Sequence, residues 1–179
     1  VSRLRPPLPV KPVAAVFSAE RPLLAQAAER LETILGPLDY AGEEFLFDQT
    51  EYYRAEMGWP LLKRFFSAED LIDPAELVNI KIKTMAVEVE FTVEGKRRVN
   101  IDPGYISAER LVLATGKNYA HRIYLGQGVW ADLTLIFEKG RFRPLPWTYP
   151  DYAADLALRT MGDIRKKYLD QLRRGQEDK

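Results

Sequence analysis

Residues 73–90, "DPAELVNIKIKTMAVEVE", decide the fold of this chain. Their opening has the form of a helix start. Asp73 can cap with its carboxylate, Pro74 suits the first helical position because its missing N–H has no partner there, and Glu76 stands where a capping box places its acid. Inside the stretch, "NIKIK" alternates apolar and polar residues as a strand does. A strand would turn Glu88 and Glu90 to one face as a pair of carboxylates; a helix separates them. The cap favours the helix, with Val78, Ile82, Met85, Ala86 and Val89 as its apolar stripe.

With a helix there, the surrounding elements fall into the order β-α-β-β-α-β. "VAAVFS" (13–18) is a short buried strand. Leu23, Leu24, Ala27, Ala28, Leu31, Ile34 and Leu35 follow helical spacing behind Ser18 and Pro22, and Gly36-Pro37 stops that helix. "EEFLFDQ" (43–49) and "PLLKRFFS" (60–67) are strands with a loop or short turn between them. "KRRVNI" (96–101) is the fourth strand, ended by Asp102-Pro103-Gly104. This order is the ferredoxin-like pattern, two helices on one face of an antiparallel sheet.

Beyond it, "LVLATGKN" (111–118) reads as a connecting segment. "AHRIYL", "VWADLTLIF" and "RFRPLP" read as a β-meander turned at 126–128 and 139–140. A long C-terminal helix follows "PWTYPDY", with Tyr152, Leu156, Met161, Ile164, Tyr168 and Leu172 as its buried stripe. The expectation is one α+β domain over residues 12–173: a ferredoxin-like βαββαβ first part, an antiparallel β-meander and a C-terminal helix. Residues 1–11 form a loose arm and 174–179 a frayed tail.

The chain has 179 residues, with 26 Lys and Arg against 26 Asp and Glu, so no strong field favours nucleic acid or an acidic membrane. The absence of cysteine removes disulfides, cysteine metal sites and a thiol nucleophile, and fits a reducing cytoplasm. With one histidine, an all-protein zinc site would need mostly carboxylates, so no metal is expected. No apolar run approaches the ~18 residues of a membrane span. The opening "VSRLRPPLPVKP" lacks the apolar centre of a targeting peptide. No residue pattern names a cofactor.

Candidate chemistry gathers in "NIDPGYISAERLVLATGKNYAHRIYL" (100–125). His121 is the one side chain that titrates near neutral pH unperturbed, which suits an acid or base; the structural alternative is a half-buried hydrogen-bonding residue. Strand alternation puts His121 and Arg122 on opposite faces unless a bulge intervenes. Asp102 is a carboxylate at a strand end or simply a turn residue. Lys117 follows Gly116 but lacks the second glycine and the hydroxyl of a P-loop; it can offer its ammonium to an anion or sit in solvent. Asp132 faces solvent or pairs with a cross-strand cation. Aromatics in "TEYYRAEMGW" and "WTYPDY" anchor loops or line a pocket.

Five segments, "YYRAEMG", "NIDPGYIS", "LVLATGK", "HRIYL" and "WTYPDY", together resemble a bacterial family designated domain of unknown function 4416. The resemblance spans most of the chain and implies a bacterial, cytoplasmic protein; it implies no activity. It marks Glu56, Asp102, Tyr105, Lys117, His121, Arg122 and Asp151 as polar residues within the motifs. The leading expectation is a protein that binds a small or nucleotide-like anion, whether or not it is an enzyme. Lys117 and Arg122 would hold the anion, His121 would serve as catalytic acid or base, and Asp102 would orient one of them, with Tyr105, Glu56 and Asp151 as further ligand contacts. The alternative is a protein-interaction or self-association module, a second copy being the simplest partner. An RNA-binding α+β domain ranks last, because its aromatic and basic signature is missing from "VAAVFS" and "KRRVNI".

Overall fold

The structure, a computed structural model, describes residues 3–48 and 50–177. In chain order it forms β1 (Lys11–Ser18), α1 (Arg21–Leu35), β2 (Leu38–Ala41), β3 (Phe45–Phe47), the short α2 (Arg54–Met57) and β4 (Leu61–Ala68). A 3-10 turn at Pro74–Glu76 leads into α3 (Leu77–Glu90). Then come β5 (Thr92–Val93), β6 (Lys96–Arg97), β7 (Asn100–Ile106), β8 (Arg110–Thr115), β9 (Arg122–Gly126), β10 (Val129–Glu138), β11 (Arg141–Pro144), α4 (Pro150–Ala153) and α5 (Asp155–Glu177).

One antiparallel sheet runs β11-β10-β8-β7-β1-β4-β2, with β3 also on β4 and β9 also on β10; β5 and β6 form a separate hairpin. The β7-β1-β4-β2 portion, crossed by α1 and α3, is compatible with a ferredoxin-like start. Apolar clusters lie on both faces. Ala14, Val16, Leu31, Phe66, Val87 and Ile101 pack with α1 and α3 on one side. Val13, Ala15, Phe65, Leu135, Met161 and Ile164 pack with α5 on the other. That is why all eight residues of β1 are buried: a central strand covered on both faces has no solvent side.

Residues 74–90 are helical, and the extended cap residue Asp73 accepts from the Ala75 N–H through Oδ1 at 2.8 Å. The buried face is nevertheless not the expected stripe. Leu77, Ile80, Lys81, Thr84, Val87 and Glu88 are buried, while Ile82, Met85 and Val89 are 40, 46 and 70 % exposed. Apolar residues surround this helix, so helical spacing alone is satisfied by either face. Packing against α1 and β7 selects the one that carries Lys81 and Glu88.

Asp102-Pro103-Gly104 does not end a strand. It runs through β7, which pairs with β1 from Asn100 to Ile106. Proline is tolerated because β8 pairs with β7 only at Gly104, Tyr105 and Ile106, so Pro103 faces no ladder partner there. Gly104 admits a close neighbour: a Cβ on it would lie 2.3 Å from the Val112 carbonyl oxygen. "LVLATGK", expected as a connection, supplies β8, and β8 lies between β7 and β10. The bounds also shift. Val10 bridges Ile72 and Lys11 opens β1, wholly buried, so the arm is shorter than expected; α5 continues to Glu177 through the segment expected to fray. Val1, Ser2, Gln49, Asp178 and Lys179, parts of the expected arm, second strand and tail, lie outside the described residues. Among the described residues, no helix is long and apolar enough to cross a membrane.

Candidate functional site

β7 and β8 part company beyond Gly104. Asn100 to Pro103 make no pairs with β8, whose Ala114 and Thr115 stay paired with β10. The peptide groups of β7 exposed by this splay need other partners. α3 provides them: the Ile101 N–H donates to Glu88 Oε1 at 2.7 Å, and Lys81 Nζ donates to the Ile101 carbonyl at 3.3 Å. The opening is a cleft of about 670 Å³ at one end of the sheet, of a size that suits a small-molecule ligand.

The floor is buried. Lys63 from β4 donates to Asp151 from α4 at 2.5 Å, and its ammonium lies 4.5 Å from the Tyr152 ring centroid and 4.8 Å from that of Phe47. Phe17, Phe47 and Tyr53 pack edge to face or tilted beside it. Such contacts favour a cation that has lost its water. Burial pushes the Tyr53 and Tyr152 hydroxyls up, and the Asp102 carboxylate adds to both.

The walls are charged. Arg97 grips Glu56 with two bonds at 2.7 and 2.9 Å and donates to Asn100 Oδ1 at 2.9 Å. That grip holds the Glu56 carboxyl below the usual range and raises the Arg97 guanidinium. Burial pushes the Glu88 carboxyl up, although Lys81 and the Ile101 N–H oppose it. At the exposed mouth, Lys117 Nζ donates to the Tyr52 hydroxyl at 3.2 Å and stands 4.8 Å over its ring. Arg122 Nη1 fixes the same loop by donating to the Lys117 carbonyl at 3.0 Å.

His121 and Arg122 meet on one acceptor. His121 Nε2 and Arg122 Nε lie 3.0 and 2.9 Å from Asp132 Oδ2. Alternation does not keep them apart, because β9 starts at Arg122 and His121 belongs to the turn closed by Arg122 N–H to Tyr119 O. Asp132 is the buried partner of a cross-strand cation, the second of its two expected environments. His121 stacks on Trp147 with centroids 4.8 Å apart and planes 12° apart, and it stands behind Asp132 rather than on the cleft wall.

The carboxylate that meets His121 and Arg122 is thus Asp132 and not Asp102. Among the described residues, no hydrogen bond or ion pair joins Asp102 to His121, Lys117 or Arg122; it accepts from Asn100 Nδ2 at 3.1 Å and lines the cleft. Asp151 lines the floor and Glu56 reaches the cleft through Arg97. Tyr105 does not join them: it packs with Leu77 and Val112 in an apolar cluster between α3 and the sheet.

Tyr53 and Tyr152, from the two aromatic segments expected to anchor loops or line a pocket, line the cleft; Lys63, Lys81, Arg97 and Asn100 also line it and were not among the expected site residues. Lys63 did leave a signal. It shares strand phase with Leu61 and Phe65, and a lysine on an apolar face asks for a buried partner. Lys81 stands in helical phase with Leu77, Ile80 and Thr84 in the same way. Among the described residues, no three His, Cys, Asp or Glu side chains are placed to hold a metal ion.

No curated protein and no solved structure matches the chain. A family model does, over residues 8–168, and its description is a domain of unknown function. With nearly the whole described chain matched, this protein belongs to the DUF4416 family.

Proposed function

We propose that the protein binds a small anionic ligand in the cleft between β7 and β8. One observation carries this reading. Five cations line the cleft, and three are matched by acids: Lys63 by Asp151, Arg97 by Glu56 and Arg122 by Asp132. Lys81 and Lys117 have no carboxylate within 4.0 Å among the described residues; their ammonium groups bond the Ile101 carbonyl and the Tyr52 hydroxyl. A buried or cleft-bound cation without an acid is what a ligand anion would complete. Tyr52 and Tyr53 line the cleft with it. In this reading Lys117 is the anion contact, Arg122 anchors its loop, and His121 with Asp132 positions Arg122. The cysteine-free composition suits a bacterial cytoplasm.

The test is a thermal-shift titration with inorganic phosphate, AMP and ribose 5-phosphate. Ligand binding to the folded state raises Tm in proportion to saturation. The shift should vanish in Lys117→Ala and persist in Lys96→Ala, whose charge lies on the β5–β6 hairpin. No shift with any of the three compounds rejects the reading.

A second reading rests on a different surface. Ile82, Met85 and Val89 of α3 are exposed, and with Ala86 they border a groove closed by Gln127, Gly128 and Val129. Exposed apolar residues in contact favour self-association. Sedimentation of wild type and Ile82→Glu at several concentrations separates the two: a mass that falls only in the variant supports association, and a monomer throughout rejects it.

A further inference from the structure

The Tyr152 hydroxyl has no hydrogen-bond partner, although the residue is 3 % exposed; among the described residues no other buried side-chain oxygen or nitrogen is left so. A fold gains nothing from an unpaired buried hydroxyl and loses stability by keeping it. The ring's other contacts, with Phe65 at 5.5 Å and the Lys63 ammonium at 4.5 Å, are ones a phenylalanine would make equally well. The hydroxyl is therefore surplus to the fold, and Tyr152 is among the residues that line the cleft.

Its surroundings define what it would meet. The carboxylates that act on it, Asp102, Asp151 and Asp132, all line the cleft. Lys63 occupies Asp151, and Arg122, His121 and Thr134 occupy Asp132. Among the described residues, Asp102 has one amide donor, Asn100, and no cation within 4.0 Å. With Asp151 and Asp132 matched by Lys63 and Arg122, Asp102 is the carboxylate there without a cation, and it would repel a second anion. It suits an alcohol group instead, which can donate to Asp102 and also bond the Tyr152 hydroxyl. Of the two cations without a carboxylate partner, Lys81 is already bonded to the Ile101 carbonyl and Lys117 stands at the exposed mouth.

Resting on the reading of the cleft as an anion site, we propose that its ligand is a phosphorylated polyol of the sugar-phosphate class. The phosphate lies outward at Lys117, and the hydroxyl-bearing end lies inward on Tyr152 and Asp102.

Calorimetric titration of the full chain with ribose 5-phosphate and phenyl phosphate tests this, because the two share a phosphate monoester and only one carries alcohols. Wild type should bind ribose 5-phosphate about fivefold or more tightly, the size expected of one or two hydrogen bonds. Tyr152→Phe should remove most of that preference without changing the phenyl phosphate Kd, and its unliganded Tm should equal or exceed that of wild type. Asp102→Asn is the second variant and should also narrow the preference. Equal binding of the two compounds by wild type, or an unchanged preference in both variants, overturns the proposal. If both compounds bind equally and both need Lys117, the anion-site reading stands and the polyol assignment falls; if neither binds, both fall.

Discussion

Arg122 Nε lies 2.9 Å from Asp132 Oδ2, and both side chains are less than a tenth exposed. A buried ion pair is costly to break from one side, because the remaining charge keeps its desolvation and loses its partner. Asp132→Ala should therefore destabilise the protein by about 3–5 kcal/mol in urea unfolding. His121→Ala should cost clearly less, since Arg122 still satisfies Asp132. Equal losses in the two variants would show that His121, rather than Arg122, holds the carboxylate.

Glu88 carries a pH dependence of known sign. Burial raises its folded carboxyl above the ordinary value of 4.5. The folded state then holds more protons than the unfolded state between those two values, so this group's contribution to stability falls as pH rises through that window and stays lower above it. Glu88→Gln keeps an acceptor for the Ile101 N–H and removes the charge. Its stability relative to wild type should be highest at neutral pH, shrink as pH falls from the raised folded value towards the ordinary 4.5, and level off below it. A difference that grows on acidification would contradict the assignment.

The two faces of α3 give a direct test of its orientation. Ile80 is 6 % exposed and Ile82 is 40 % exposed. Ile82→Lys should change stability by no more than about 0.5 kcal/mol, the usual range for a surface substitution. Ile80→Lys places a charge in the core between α1 and β7 and should prevent cooperative folding. Matched effects at the two positions would mean that the helix is turned differently.

Gly104 should resist enlargement for a packing reason rather than a conformational one. An alanine Cβ would press on the Val112 carbonyl of β8. Gly104→Ala should cost about 1–3 kcal/mol, typical of overpacking, by forcing β8 away from β7. A variant as stable as wild type would show that the strands have slack where they are closest.

These residues also show what the sequence could reveal. The helix at 74–90 was legible from Asp73, Pro74 and Glu76, because caps act locally. Its buried face was not, because apolar residues on every side leave the choice to α1 and β7. Asp102-Pro103-Gly104 has the composition of a turn, yet strand pairing on the β1 side overrides it, and the missing N–H of Pro103 falls where the sheet splays. The site was legible as a neighbourhood: Lys117, Arg122, Asp102 and Asp151 do line one cleft. Its geometry depends on partners distant in the chain, such as Lys63 with Asp151 and Arg97 with Glu56, which no local pattern encodes.

The account turns on Lys117 as the cleft cation that receives an anion, and the most direct measurement is the phosphate-dependent rise in Tm of wild type, Lys117→Ala and Lys96→Ala in parallel. The expected result is a saturable rise in wild type and Lys96→Ala and none in Lys117→Ala. An equal rise in all three variants, or a loss in Lys96→Ala alone, would place the anion elsewhere and contradict the account.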